Sequence, residues 1–160
     1  MLETFFHASW DAIPAHNARE HIVAAIGRYL GSYAEADLEG RAALFADDVV
    51  AEEPVGAPPM RGKAALIAFW KATLDAGWRV GNRLEQAVVN GDEALIVFVS
   101  TLAVPGEGSV RLRVFEQLEF AADGRIVRLR AFNDAGCLNP AAVLAPAPSD
   151  ASVSCADQLR

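Results

Sequence analysis

The sequence predicts an α+β domain in which helices come first and an antiparallel sheet follows. Three observations carry that reading. Apolar residues recur at helical spacing in three segments between residues 17 and 77. After Trp78 the pattern changes to strand-like alternation. Asn90-Gly91 and Asp123-Gly124 then mark turns between the strands. A curved sheet with helices packed on one side is the layered arrangement that buries the apolar faces of both halves.

Residues 1–16 read as an apolar N-terminal extension, with Leu2, Phe5, Phe6 and Trp10 at helical spacing and Pro14 ending the helix. Phe5, Phe6 and Trp10 are expected to pack into the core, with a place at a cavity mouth or in a subunit contact as the alternatives. Asn17, with Glu20 three residues on, resembles a capping box. Ile22, Val23, Ile26, Tyr29, Leu30 and Tyr33 then share one helix face. Asp37 is a candidate N-cap for a shorter helix in "DLEGRAALFA". Asp47-Asp48 fall in the turn after it, and "VVAEE" reads as a short strand stopped by Pro54. The loop "PVGAPPMRGK" leads to the third helix, "KAALIAFWKATLDAG", with Gly77 as C-cap. The segment "RLEQAVVNGDEALIVFVSTLAV" is a hairpin about Asn90-Gly91. Its second arm, apolar on both faces, is expected at the centre of the sheet. Gly106 and Gly108 turn the chain into "SVRLRVFEQLEF", and Asp123-Gly124 turns it into "RIVRLRAFND". The domain is thus expected to span 17–140, followed by an Ala-, Pro- and Ser-rich, disordered tail at 141–160.

A chain of 160 residues, 52% hydrophobic and 22% charged, is large enough for one domain with a sizeable core. No run of about 18 apolar residues exists, so no membrane span is expected. The first twenty residues lack the basic start and cleavage site of a signal peptide, and the expected location is the cytoplasm. A net charge of −7 argues against nucleic-acid backbones and anionic membranes, which select clustered Lys and Arg. Cys137 and Cys155 form no disulfide framework, and His7, His16 and His21 have no acid at metal-ligand spacing; no metal site is expected.

Three residues conflict with their surroundings. In the strand 110–120, Val110, Leu112, Val114, Leu118 and Phe120 share one face, and Glu116 falls on it. A carboxyl there either stays neutral as a hydrogen-bond donor, turns outward at a bulge, or pairs with Arg130 on the next strand. Tyr29 lies on the apolar helix face, either as a buried phenol needing a partner or as a core ring with its hydroxyl at the rim. Glu53 ends its strand beside Pro54 and, if Ala51 points inward, points inward with it; the alternative is a solvated strand end. A base, a phenol and a neutral acid together suit proton abstraction beside a carbonyl, with two donors holding the enolate oxygen.

The stretch "RYLGSYAEADLEGRAALFADDVVAEEPVGAPPMRGKAALIAFW", with "FEQLEFAADGRIVRLRAF" later, resembles the bacterial Δ5-3-ketosteroid isomerases over roughly residues 20–135. Arg28-Tyr29, "ALFADD" and "EPVG" are its most specific parts. The resemblance implies the cone-like, nuclear transport factor two-like fold, with a curved antiparallel or mixed sheet and helices on its concave side. It places the oxyanion tyrosine on Tyr29, the general base on Glu53 and the neutral donor acid on Glu116. Phe45, Trp70, Val114, Leu118, Leu129 and Asn133 become candidate substrate contacts. It implies isomerisation of a small hydrophobic ketone through a dienolate without metal or organic cofactor, in a homodimer. Both family aspartates are glutamates here, and Asn133 replaces an aromatic residue. These departures keep open another acid–base reaction of the superfamily, such as polyketide cyclisation or dehydration, and a non-catalytic ligand-binding role.

Overall fold

In the computed structural model, residues 1–139 are described, and the expected tail at 141–160 lies outside them. Helices α1 (Leu2–Asp11), α2 (Arg19–Ala34) and α3 (Leu38–Ala43) precede strand β1 (Phe45–Glu52). A short strand β2 (Met60–Arg61) leads into α4 (Lys63–Asp75). Strands β3 (Arg79–Asn90), β4 (Glu93–Val104), β5 (Gly108–Phe120) and β6 (Ile126–Phe132) follow, then a 3-10 turn at Ala135–Cys137. The six strands form one sheet in the order β2-β1-β6-β5-β4-β3. All neighbours are antiparallel except β1 and β6, which run parallel. The sheet is mixed because β1 is separated in sequence from the meander by α4.

The core lies between the sheet and helices α2 and α4. On α2 the buried row Ile22, Ala25, Ile26, Tyr29 and Leu30 follows helical spacing, and this helix packs on β3. Each large apolar side chain buried there stabilises the fold by about 1.5–3 kcal/mol. From the sheet come Val49 and Ala51 of β1, Ile96 and Phe98 of β4, Val114 and Leu118 of β5, and Leu129 and Ala131 of β6. Leu66 and Trp70 of α4 close the other side. The Asp37 carboxylate accepts from the Gly40 N–H at 2.8 Å, capping α3 as expected. Gly77, at φ 75°, follows α4 in the left-handed conformation that ends helices.

Several expectations are corrected. Helix α1 buries no residue; Phe5 is 66% and Trp10 55% exposed, and Phe6 stacks on Trp10 within the helix itself. Ten residues ahead of a closed core have no apolar surface left to cover. Asn17 does not cap α2, whose N-cap is Ala18 without a side-chain bond. Instead its amide donates to Asp92 at 2.9 Å and to the Ala121 carbonyl at 2.8 Å, tying the helix entry to two hairpin turns. Val23 is 38% exposed, at the edge of the helix face. β1 begins at Phe45, so Asp47 and Asp48 sit within a strand, and Asp47 pairs with Lys63 at 2.7 Å. The first hairpin turns on Gly91-Asp92, one residue later than expected, because Asn90 still pairs with Glu93. β4 lies one strand from the sheet edge, and Leu95 on its outer side is 50% exposed.

Candidate active site

Strand β5 presents Val114, Glu116, Leu118 and Phe120 inward in strict alternation, so Glu116 enters the core with its neighbours and is 1% exposed. The bulge reading therefore does not hold. The Arg130 reading does not hold either, since Arg130 donates to Glu52 at 3.2 Å on the other side of the sheet. The partner of Glu116 comes from α2: the Tyr29 hydroxyl donates to its Oε1 at 3.2 Å, both groups being buried. The other oxygen, Oε2, is enclosed without a partner. Glu53 reaches the same region through the sheet register. Ala131 of β6 pairs with Glu116, and the Ala131 carbonyl accepts from the Val55 N–H at 2.8 Å, two residues beyond Glu53. The residue is half-buried, but its Oε2 is shut away from solvent and unpartnered.

The electrostatics separate the two acids. Burial, and then the charge of Glu53, push Glu116 well above the usual carboxylate range, against the hydrogen bond from Tyr29. Burial raises Glu53 to about 7, with Arg41 pulling the other way. Two carboxylates sharing a dry site cannot both ionise cheaply, so the deeper one holds its proton. Burial also lifts the Tyr29 phenol, which stays a donor across the neutral range. The arrangement is thus a neutral acid, a neutral phenol and a base that titrates near neutrality.

A cavity of about 140 Å³ opens beside them, its wall including Tyr29, Tyr33, Glu53, Trp70, Val114 and Asn133. Of the expected substrate contacts, Trp70, Val114 and Asn133 face this space. Phe45, Leu118 and Leu129 belong to the fully buried core, where the Phe45 ring meets Tyr29 at 5.6 Å and Trp70 at 5.2 Å. Phe45 therefore sits against the site's walls from inside. A larger depression of about 410 Å³ is lined by Glu52, Arg61, Glu119 and Arg128. Its acids are engaged with Arg128 and Arg130, and it holds no enclosed ionisable group, so we assign no chemistry to it.

Sequence reasoning left several residues of this region unassigned, among them Tyr33, Arg41, Asn82 and Ser100. Tyr33, one helical turn beyond Tyr29, brings its hydroxyl to 3.5 Å from the Tyr29 hydroxyl. Arg41 is 1% exposed and lies over the Tyr33 ring at 3.4 Å. Asn82 and Ser100, register partners on β3 and β4, add polar groups to the cavity wall. Tyr33 had a signal, its i+4 spacing from Tyr29 on the apolar face. Arg41 had none, because a lone arginine on a short helix is ordinarily solvated. Among the described residues no group of three or more His, Cys, Asp or Glu side chains is placed to hold a metal ion.

These features define a nuclear transport factor two-like α+β cone with an enclosed acid–phenol pair. The model of the SnoaL-like domain matches residues 26–129, and the chain belongs to the SnoaL-like family. It is 37% identical over 112 residues to a steroid Delta-isomerase of Nocardioides simplex, covering 69% of this chain and 88% of that one. Among solved structures it is similar to the Δ5-3-ketosteroid isomerase from Mycobacterium sp., with 26% identity and a TM-score of 0.67 over 74% of this chain and 96% of that one. The epoxide hydrolase/cyclase-like enzyme SalBIII, at 16% identity and a TM-score of 0.68 over 74% and 95%, shares the fold.

Proposed function

We propose that the protein is an isomerase, independent of a cofactor, that moves a carbon–carbon double bond into conjugation with a ketone on a steroid-like hydrophobic substrate. Ionised Glu53 takes the proton from the carbon between the ketone and the double bond. The electron pair passes to the carbonyl oxygen, giving a dienolate, and Glu53 returns the proton to the far carbon of the former double bond. The Tyr29 hydroxyl, turning its single O–H from Glu116 to the substrate oxygen, and neutral Glu116, through its enclosed Oε2, donate to that oxygen as its charge develops, which is where donors in a dry site act most strongly. The observation that carries this reading is the buried Tyr29–Glu116 contact of 3.2 Å beside a cavity whose wall holds Glu53. The 37% identity to a named steroid Delta-isomerase supports it.

The test is conversion of a β,γ-unsaturated steroid ketone, followed by the absorbance of the conjugated enone. Glu53→Ala is expected to abolish the rise, and Tyr29→Phe to slow it on the order of 10²-fold. No rise above buffer across a panel of such ketones would refute the assignment. A cavity of about 140 Å³ is smaller than the ~300 Å³ at which ligand pockets usually begin, and Asn82, Ser100 and Asn133 make part of its wall polar. That observation favours, as a second reading, a smaller and more polar substrate cyclised or dehydrated by the same acid–base set. Equal affinity of wild type and Tyr29→Phe for a phenolic enolate mimic would instead indicate a binding domain without catalysis.

The reading extends to a homodimer formed through the outer sheet face, where Phe115 pairs in register with both Val97 and Phe132. Phe115 and Phe132 are 40% and 41% exposed there. Sedimentation at twice the chain mass, reduced to the monomer by Phe115→Glu, is the expected outcome.

A further inference from the structure

Arg41 is buried to 1% exposure yet forms no ion pair with a carboxylate among the described residues. Its Nε donates to the Ser32 hydroxyl at 2.9 Å, its guanidinium lies over the rings of Tyr33 at 3.4 Å and Trp70 at 5.1 Å, and one terminal nitrogen is enclosed without a partner. Among the described residues this buried cation contacts one hydroxyl and two π faces, and the Asp37 and Glu53 carboxylates act on it only from beyond ion-pair distance, so it is incompletely compensated. The rings beneath it are walls of the cavity, which has no Lys or Arg of its own among the residues lining it. Tyr33 in turn reaches Tyr29, and Tyr29 reaches Glu116, so hydroxyls and carboxyl form a continuous chain from the guanidinium's ring seat to the donor acid.

We propose that Arg41 and Tyr33 form a second tier of the oxyanion site: Tyr33 supports the Tyr29 hydroxyl, and Arg41 is a positioning residue whose fixed charge makes the cavity prefer an oxyanion to a neutral ligand of the same shape. The inference rests on the reading of Tyr29 and Glu116 as oxyanion donors. Its physical content is that Glu53, once ionised, and Glu116 leave the cavity without a positive charge unless Arg41 supplies it. The charge acts on Glu53 and on Tyr33 through low-dielectric protein. The planar guanidinium is suited to this seat because it stacks on an aromatic face, which a Lys ammonium cannot do to the same extent.

The experiment measures dissociation constants of a series of substituted phenols, matched in shape and graded in acidity, for wild type, Tyr29→Phe, Tyr33→Phe, Arg41→Met and Arg41→Lys. In wild type, affinity is expected to rise with phenol acidity. Arg41→Met should weaken the most acidic phenol on the order of 10-fold and the least acidic within about twofold, since a neutral ligand has no charge to feel. Arg41→Lys should recover most of the preference, and Tyr33→Phe should lower it several-fold. Equal weakening of all phenols by Arg41→Met, or none, overturns the proposal. If Arg41→Met fails to fold by far-ultraviolet circular dichroism, an unchanged acidity dependence in Tyr33→Phe overturns it. The two levels separate cleanly: no effect of Tyr29→Phe removes the underlying oxyanion reading, whereas a Tyr29 effect with Arg41→Met indifferent to acidity removes only the second tier.

Discussion

Glu53 is the residue whose ionisation governs the proposed chemistry, and its proton is expected to leave at about pH 7. As the base it must be charged, so kcat/KM should rise through about pH 7 and fall away on the acid side, a profile measurable with any turned-over ketone. The same shift has a consequence for stability with a definite sign. Folding raises Glu53 from 4.5 to about 7, so between those values the native state holds a proton that the unfolded chain releases. Stability therefore declines as pH rises through that window, and the loss is complete above it, on the order of 3 kcal/mol as an upper figure. Glu53→Gln should accordingly melt higher than wild type at pH 8, with the gap closing toward pH 5. Shortening the base is the complementary test: Glu53→Asp withdraws the carboxylate by roughly 1.5 Å, and a displacement near 1 Å can cost about 10²-fold in rate. The oddity of Tyr29, Glu53 and Glu116 was legible from spacing because each places a polar group on an apolar face. Arg41 was not legible, since nothing in "LEGRAALFA" distinguishes a guanidinium that turns inward onto Tyr33 from one that extends into water.

At the scale of elements, α3 is six residues long and carries Arg41, so its cap has an effect beyond its own length. Asp37→Ala should lower stability by about 1 kcal/mol in a denaturant titration and, by fraying α3, loosen the guanidinium on its ring. A side chain at Gly40 would collide with the Asp37 carboxylate, so Gly40→Ala is expected to reproduce part of that loss. The entry to α2 is held differently. Asp92 in the first hairpin turn accepts from the backbone N–H groups of His16 and Asn17 and from both side chains. Those bonds hold its carboxyl well below the usual range. The stabilisation is fully present above the ordinary aspartate value and is lost as pH falls beneath it. Asp92→Ala should therefore lower the melting temperature by several degrees at pH 7, with the difference shrinking in acid. The existence of both elements was readable, the alternation of β5 best of all. The job of Asn17 was not, because a capping residue and a long-range clamp have the same sequence spelling until Asp92, 75 residues away, is brought beside it.

At the scale of the molecule, α1 adds no buried residue, so removal of residues 1–11 is expected to leave the melting temperature nearly unchanged. A large fall would mean that its apolar face is covered in solution. Among the described residues no helix is long and apolar enough to cross a membrane.

The sequence by itself determined the α+β class, the order of the main helices and strands, the placing of Tyr29 and Glu116 on apolar faces, and the family of the chain. Those properties depend on local periodicity and on which side of a helix or strand a residue occupies, and both are written in neighbouring positions. The tertiary structure decided that Tyr29 and Glu116, 87 residues apart, touch, and that Tyr33 stands behind them beneath a buried cation with no ion pair among the described residues. It also decided that Phe45, Leu118 and Leu129 are core while Trp70, Val114 and Asn133 face the cavity. Such choices depend on distances between elements that periodicity does not encode, and they are settled only when the sheet curves and α2 and α4 close over it.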